Sequence, residues 1–371
     1  MKYIILAYNY LTLIRAIKYI DCKWGRNNST IIYLNLVSEL PLKISEDYIV
    51  KRISCDSLSI RKRGILLLFQ NCFDTKRTWK QIKNIIDITE SEIILVLFKD
   101  NEILESTIIE NSYKKYNNKI HIWMMEEGSG IYALEAPTIR YSALKRVIYP
   151  TLGISRYVLK KKSQGLHPYL EKIICTKPEL FENKKKNRNL RIEQMEDIFT
   201  QDINKYFIQA VIGKKSKKQY TFVFLTQPFK DWADDYNELL IKHQTLLPQI
   251  FKILSYYGKT IIKLHPREHY NYEQYLNQNV ELVKGEENNI PFECLIHFYG
   301  EPQMISMFSS TSINIISDKP SIYLGKMFGI PMMDKLFTKV FYEENNIISC
   351  NCLNEFETII RQSVDKGEIN V

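Results

Sequence analysis

One stretch of the chain, residues 121–130, constrains the fold more than any other. It reads HIWMMEEGSG, an apolar run that ends abruptly in two carboxylates and a Gly-Ser-Gly turn. This order is typical of a buried strand in an α/β domain, where ligands bind outside the carboxyl ends of the strands. Glu126 and Glu127 stand at that end, and two adjacent acids can raise each other's pKa and leave one as a base. The alternative is a solvated acidic turn with no chemical role.

Apolar runs alternate with helical patterns along the rest of the chain. In the first half we predict strands at 2–7, 31–37, 65–69, 93–98 and 119–124, with helices at 11–20 and 76–86. In the second half we predict strands at 220–228, 259–264 and 303–308, with helices at 239–256 and 291–298. Strands that alternate with helices predict an α/β fold with mostly parallel, doubly wound sheets.

The chain length predicts more than one domain, because 371 residues exceed what a single hydrophobic core usually serves. A lysine-rich stretch from about 159 to 218, with one helix expected near 194–211, separates the two α/β halves. We therefore predict two Rossmann-like domains that face a central cleft. The first covers residues 1–215 and includes the basic linker region, and the second covers residues 216–371.

Composition excludes several classes of protein. With 45% hydrophobic and 25% charged residues the chain is globular rather than disordered. Seven scattered cysteines without a paired framework indicate a reducing compartment. The apolar start of the chain lacks a cationic n-region and a small-residue cleavage site, so we interpret it as a strand, a turn and a helix. No metal site is predicted.

The formal net charge of +9 favours an anionic partner. Part of the excess lysine lies in three clusters, at 160–162, 184–186 and 214–218. Such clusters are usually solvated loops, and contact with an anionic membrane is the alternative that we keep. Nucleic acid is not expected as a partner, because the clusters lack the interleaved aromatic residues of a single-strand groove.

A second polar motif follows an apolar run in the other half of the chain. His265 ends the run 259–264 and precedes Pro266, where the chain must leave the strand. Imidazole exchanges protons near neutral pH, and the guanidinium of Arg267 can hold a phosphate with two hydrogen bonds. The alternative for His265 is a corner residue that is hydrogen-bonded to the backbone.

A third motif consists of four hydroxyl residues where a strand is expected to turn into a helix: Ser309, Ser310, Thr311 and Ser312. Hydroxyls and free backbone N–H groups at a helix N-terminus bind anions, whereas an ordinary N-cap needs only one such residue. The chain has neither a Walker motif nor a G-x-G-x-x-G motif, so no motif predicts that it binds ATP or NAD.

The ordered set of Glu-Glu-Gly, His-Pro and Ser-Ser-Thr motifs resembles the bacterial sialyltransferases of the GT-B fold, including the lipooligosaccharide sialyltransferases and the capsular polysialyltransferases. The resemblance covers roughly residues 3–331. It implies an inverting transfer of sialic acid from CMP-sialic acid to a surface glycan, with no cofactor and no essential metal. It also implies a lipid-linked acceptor and a cytoplasmic protein, with basic segments in peripheral contact with the inner face of the plasma membrane.

The resemblance also assigns roles to residues. The general base comes from the motif Glu126, Glu127 and Gly128. The choice between the two acids stays open, and we prefer Glu127 because it adjoins the glycine. The acid that protonates the departing CMP phosphate is His265 in the His-Pro motif. The residues expected to bind the donor are Gly128, Pro266, Arg267, Glu293, Ser309, Ser310 and Thr311. For Glu293, a first-turn glutamate also fits the helix dipole without any ligand.

One departure from the family pattern bears on the base. Where lipooligosaccharide sialyltransferases carry an Asp just after Ser-Pro, this chain reads TQPFKD, and Asp231 comes two residues late. That difference favours the Glu-Glu-Gly motif as the source of the base. Two other functions stay open: a related glycosyltransferase that uses a UDP-hexose or another nonulosonic acid, and a non-catalytic protein that binds a glycan or nucleotide.

Overall fold

The chain forms two compact units, Met1–Ile203 and Asn204–Val371, and each is built on one β-sheet. The computed structural model describes residues 1–35, 39–54, 65–89, 91–133, 143–160, 163–185, 189–196, 201–213, 216–228, 236–266, 268–307, 319–329 and 346–368. No helix within these ranges combines the length and the apolar character that crossing a membrane requires.

The first unit contains seven strands and six helices among the described residues. The strands are β1 (Lys2–Ala7), β2 (Ser29–Asn35), β3 (Val50–Ser54), β4 (Ile93–Leu97), β5 (Ile120–Met125), β6 (Lys172–Cys175) and β7 (Arg191–Gln194). The helices are α1 (Tyr10–Tyr19), α2 (Leu42–Asp47), α3 (Ile65–Asp87), α4 (Ile103–Tyr116), α5 (Ala143–Thr151) and α6 (Pro178–Lys185).

These strands pair in parallel in the order β3-β2-β1-β4-β5-β6-β7. The order reverses between β1 and β4, which makes the carboxyl ends of these strands the topological switch point where ligands of such sheets bind. All five residues of β4 are buried, as expected for a central parallel strand that is covered on both faces.

The second unit repeats this plan with fewer strands. Its strands are β8 (Phe222–Leu225), β9 (Thr260–Lys263), β10 (Val280–Leu282), β11 (Gln303–Ser306), β12 (Ser321–Tyr323) and β13 (Ile347–Ser349). Its described helices are α8 (Tyr236–Tyr257), α9 (Phe292–Leu295), α10 (Gly325–Phe328) and α11 (Leu353–Glu368), together with most of α7 (Gln201–Ile212), which begins just before the division between the units. The strands pair in parallel in the order β10-β9-β8-β11-β12-β13, so the reversal falls between β8 and β11.

The structure confirms the α/β class with two parallel sheets, but one predicted strand is wrong. The apolar run 65–69 opens the long helix α3 instead. A short apolar run does not distinguish a strand from a buried helical segment, and here the helical spacing decides. Leu68 and Cys72, four residues apart, are buried in a cluster with residues of α5 such as Tyr149.

The lysine-rich region also has more order than a linker. Strands β6 and β7 lie within residues 159–218 and extend the first sheet, and the helix expected from 194 begins only at Gln201. Residues from Asn204 onward group with the second unit, although the sequence placed the division after residue 215. The amide of Asn204 donates to the backbone carbonyl of Glu293 at 3.5 Å, and such contacts join α7 to that unit.

Candidate functional site

The two glutamates of the first motif directly follow β5, as the sequence predicted. The backbone N–H of Glu126 still donates to the carbonyl of Ile174 on the neighbouring strand at 2.8 Å, so the ladder runs up to this residue. Successive side chains at the end of a strand point to opposite sides. Glu126 is accordingly fully buried, whereas the side chain of Glu127 is 19% exposed.

The Glu126 carboxylate is held entirely by the interior of the first unit. Its Oε2 accepts hydrogen bonds from the Tyr132 hydroxyl at 2.5 Å and from the backbone N–H of Thr176 at 2.6 Å. Arg15 is also fully buried, and its guanidinium lies 3.8 Å from Oε1 and donates to the Glu126 carbonyl. A charged pair without solvent access is suited to anchor the strand end rather than to meet a substrate.

The Glu127 carboxylate has a partner on both of its oxygens. The side-chain amide of Asn9 donates to Oε1 at 2.9 Å, and Lys99 Nζ lies 3.0 Å from Oε2. Asn9 follows β1 and caps α1, while Lys99 follows β4. Three neighbouring strands, β1, β4 and β5, therefore bring these three side chains to one place at the carboxyl edge of the sheet.

These neighbours set the proton affinity of Glu127. Burial raises the pKa of the carboxyl group, but the Lys99 charge and hydrogen bonds from Tyr8, Lys99 and Asn9 outweigh it, so the pKa lies below its ordinary value. This corrects the expectation that the adjacent acids raise each other's pKa. Burial alone would lower the pKa of Lys99. The nearby glutamates Glu127, Glu102 and Glu105 outweigh burial, so the pKa lies above its ordinary value. Both groups of the pair are ionised at neutral pH.

Analysis of the sequence missed Asn9, Lys99 and Glu105 as parts of this site. Glu105 lies in the first turn of α4 with 6% exposure, and burial is the main cause that raises its pKa to about 7. The signal for Lys99 was present, since it is the first charged residue after the apolar run 93–98. The signal for Asn9 was its capping pattern, an Asn three residues before Thr12.

In the second unit, His265 lies just beyond β9 and is partly exposed, and the following Pro266 is exposed. The backbone N–H of His265 donates to the Thr226 hydroxyl at 2.8 Å, and its carbonyl accepts from the backbone N–H of Glu268, also at 2.8 Å. Thr226 is buried and follows the adjacent strand β8. This threonine, which the sequence did not single out, fixes the chain where it leaves the strand.

Glu293 lies on the short helix α9 and is 3% exposed. Its charge acts on Lys263, a buried lysine of β9 whose pKa falls to about 8 because of burial, while Glu293 and Glu287 oppose that fall. Pro291 caps α9, although the sequence placed it at the first helical position. The buried position of Glu293 favours an electrostatic role beside Lys263, and its contact with a nucleotide stays a prediction.

The remaining candidates that were expected to bind the donor lie outside the described residues: Arg267, Ser309, Ser310 and Thr311. In the sequence the three hydroxyl residues follow β11, which pairs with β8 in the sheet. Within the described residues, no group of three or more His, Cys, Asp or Glu side chains is placed to hold a metal ion.

Comparisons with known proteins bear on both fold and family. Residues 19–326 match the model of a family described as alpha-2,8-polysialyltransferase. A comparison with curated protein sequences finds no match.

Three solved structures share the fold. The GT-B domain of a sialyltransferase from Photobacterium damselae aligns over 94% of this chain and 100% of its own, with a TM-score of 0.53 and 12% identity. The UDP-GlcNAc 2-epimerase from Methanocaldococcus jannaschii aligns over 98% and 92%, with a TM-score of 0.52 and 12% identity. A 2,6-sialyltransferase from Photobacterium sp. JT-ISH-224, in complex with CMP and lactose, aligns over 94% and 78%, with a TM-score of 0.50 and 12% identity. At this identity the likeness shows the fold, which is GT-B.

Proposed function

We propose roles in catalysis for residues of this chain, which belongs to the alpha-2,8-polysialyltransferase family. The chain is a sialyltransferase that takes sialic acid from CMP-sialic acid, and its acceptor is a sialylated glycan. The first unit provides the side for the glycan acceptor and also the general base, which takes up a proton. The second unit provides the CMP side and the proton donor.

Glu127 is the general base in this proposal. The observation that carries the assignment is the contrast within the Glu-Glu pair, because Glu127 is partly exposed at the strand end and Glu126 is sealed against Arg15. An acceptor hydroxyl must lose a proton as its oxygen attacks the anomeric carbon of sialic acid. An ionised carboxylate held at a fixed position is suited to take that proton.

His265 is the general acid. As the new bond forms, the bond between the anomeric carbon and the CMP phosphate oxygen breaks, and the phosphate takes a proton from the imidazolium. The anomeric centre inverts in a single displacement of this kind, with no metal ion required. Ser309, Ser310 and Thr311 hold the departing phosphate through hydroxyl and backbone N–H groups.

An assay of nucleotide release tests the activity of the whole chain. We expect CMP release from CMP-sialic acid to increase strongly when a sialic-acid-terminated oligosaccharide is added, and the product to carry additional sialic acid. Galactose-terminated acceptors and UDP-sugars serve as the contrasting arms. UDP release with no CMP release would favour a transferase with another donor, and binding without turnover would favour a glycan-binding protein.

We also propose that the first unit contacts an anionic membrane surface, where a lipid-linked capsule glycan would be extended. On helix α3, Phe69 is 37% exposed and Phe73 is 58% exposed, and on α5 Val147 is 65% exposed. Exposed cations lie on the same helices, at Lys76, Arg77, Lys80 and Arg146. Apolar side chains among cations fit the interface of an anionic bilayer, where each basic residue contributes about 1 kcal/mol.

Vesicle sedimentation tests this contact. We expect binding to vesicles that contain an anionic phospholipid, weaker binding as salt is raised, and a clear loss in a Phe69→Ser and Phe73→Ser double variant. Tyr256→Ser is the matched control, because Tyr256 is 82% exposed on α8 of the other unit. Binding that does not weaken as the salt concentration is raised, or no binding at all, would contradict the proposal.

A further inference from the structure

We infer that Lys99 is a positioning residue for the transfer: its ammonium group, together with the Asn9 amide, holds the Glu127 carboxylate in one orientation at the edge of the first sheet. This inference rests on the proposed role of Glu127 as the base. Lys99 acts through Glu127 and is not required to touch either substrate. No motif in the sequence assigned it a role.

The contacts fix both oxygens of the carboxylate. Oε1 accepts from Asn9 at 2.9 Å, and Oε2 pairs with Lys99 at 3.0 Å. The two partners follow β1 and β4, the strands on either side of the topological switch point. A carboxylate held by two groups on different strand ends cannot rotate without losing one of them, so its free lone pairs keep one direction.

Asn9 is oriented by the start of α1. Its side-chain oxygen accepts the backbone N–H of Thr12 at 2.8 Å, which turns its NH2 group toward Glu127. The Thr12 hydroxyl in turn accepts the backbone N–H of Asn9 at 3.2 Å and completes a capping box. The helix cap therefore decides which end of the amide faces the carboxylate.

Lys99 is held in place as well. The next residue, Asp100, is fully buried, and its carboxylate accepts the backbone N–H groups of Gly165 at 2.9 Å and His167 at 2.8 Å. The Lys99 ammonium also lies 4.9 Å from the centre of the Tyr8 ring. With the backbone beside it anchored and its side chain only 26% exposed, Lys99 is kept close to Glu127.

The charges around Glu127 show what Lys99 offsets. Tyr8 and Lys99 interact with the carboxylate directly from the ends of β1 and β4, while Glu105 at the start of α4, like Glu102 beside it, acts on Lys99. Lys99 is the cation among these groups. Without it, burial would raise the pKa of Glu127, and a larger share of the base would be protonated in weakly acidic solution.

The dependence of kcat/KM on pH tests the inference. At the acid end of this profile, the acid limb, the rate falls because the base becomes protonated, and replacing a merely structural residue would not move that limb. In the wild-type enzyme we expect kcat/KM to stay level at the acid end of a range from about pH 5 to 9. In Lys99→Met we expect kcat at the optimum to fall about 10²-fold and the acid limb to move up into this range. Lys99→Arg keeps the charge, so it should restore the wild-type limb.

A second variant and a matched control complete the experiment. Asn9→Ser keeps a capping oxygen and removes the amide donor, so it should lower kcat about tenfold and also shift the limb upward. Lys172→Met is the control, because Lys172 lies at the start of β6, with its Nζ 2.8 Å from a Glu193 oxygen and 3.8 Å from the Trp123 ring centre. It should leave both rate and limb unchanged.

Glu127→Gln in the same assay separates the two levels of the proposal. If Glu127→Gln loses turnover while Lys99→Met keeps the wild-type rate and limb, the role of Lys99 is refuted and the base assignment stands. The same holds if Lys99→Met slows the enzyme equally at every pH and Lys99→Arg does not restore it. If Glu127→Gln turns over normally, the base assignment fails and the inference fails with it.

Discussion

The two sheets of this protein share a topology and differ in the chemistry at their carboxyl edges. Each order reverses beside its first strand, between β1 and β4 in one unit and between β8 and β11 in the other. The first edge carries two glutamates with a lysine and an arginine, whereas the second carries a histidine and a threonine. Topology therefore decides where a site forms, and the one or two residues after each strand decide what it does.

The two edges also hold their polar residues differently. In the first unit the glutamates are fixed by charged side chains, with Arg15 on Glu126 and Lys99 on Glu127. In the second unit the described hydrogen bonds of His265 fix its backbone, through Thr226 and Glu268. A base that must stay ionised benefits from fixed countercharges, and an acid that must donate its proton needs a fixed position at the strand end.

Replacing the proposed acid should have the largest effect. We expect His265→Ala to lower kcat by about 10² to 10⁴, because the phosphate then leaves without a proton donor. Calorimetry should find CMP binding close to that of the wild-type protein. His297→Ala is the control, since His297 is a half-buried histidine of the same unit that pairs with Glu301 at 2.8 Å. Normal turnover in His265→Ala would end the assignment of the acid to the second unit.

Removing the anchoring charge should affect stability rather than chemistry. We expect Glu126→Gln to lower the free energy of unfolding by about 3 kcal/mol in a urea titration, because Arg15 is left buried without its countercharge. The hydrogen bond that Arg15 donates to the backbone carbonyl of residue 126 remains in this variant, and it limits the loss. Glu193→Gln, at a carboxylate that is 36% exposed between two lysines, should change stability by less than about 1 kcal/mol. Equal losses would contradict the contrast between the two carboxylates.

The smallest of these effects should appear in the proposed phosphate-binding motif. Removal of the hydroxyl in Ser310→Ala should weaken CMP binding by about 1 to 3 kcal/mol, roughly a 5- to 150-fold rise in Kd. The rate at saturating donor should change less than in the His265 variant. Ser255→Ala, near the end of α8, should leave Kd unchanged. An unchanged Kd in Ser310→Ala would remove this residue from the phosphate site.

Much of the fold could be predicted because its central strands are long and apolar. Strand β1 spans residues 2–7 as predicted, and β5 differs by one residue at each end. The shorter strands β6, β7, β10, β12 and β13 have three or four residues each. Such runs are too short for an alternation to stand out, and the sequence did not reveal them. Strands β8, β9 and β11 have only four residues each, and the sequence revealed them because a polar motif follows each one.

The site could be predicted only as far as single strand ends. The position of the glutamates after β5, and their orientation to opposite sides, followed from the local pattern. The partners did not, because Asn9 is 118 residues from Glu127 in sequence and reaches it only through the order of the strands. The same dependence on strand order hid the pair of Glu126 with Arg15. It also hid the pair of Glu127 with Lys99, which lowers the pKa of Glu127.

The central claim is that neighbouring acids of one strand end have separate tasks, chemistry for Glu127 and anchoring for Glu126. Initial rates of CMP release in Glu127→Gln and Glu126→Gln, measured with a sialylated acceptor below the unfolding temperature of both variants, test it directly. The account predicts a loss of about 10² to 10⁴ in Glu127→Gln and near wild-type turnover per folded molecule in Glu126→Gln. The reverse pattern, or full activity in both variants, would contradict it.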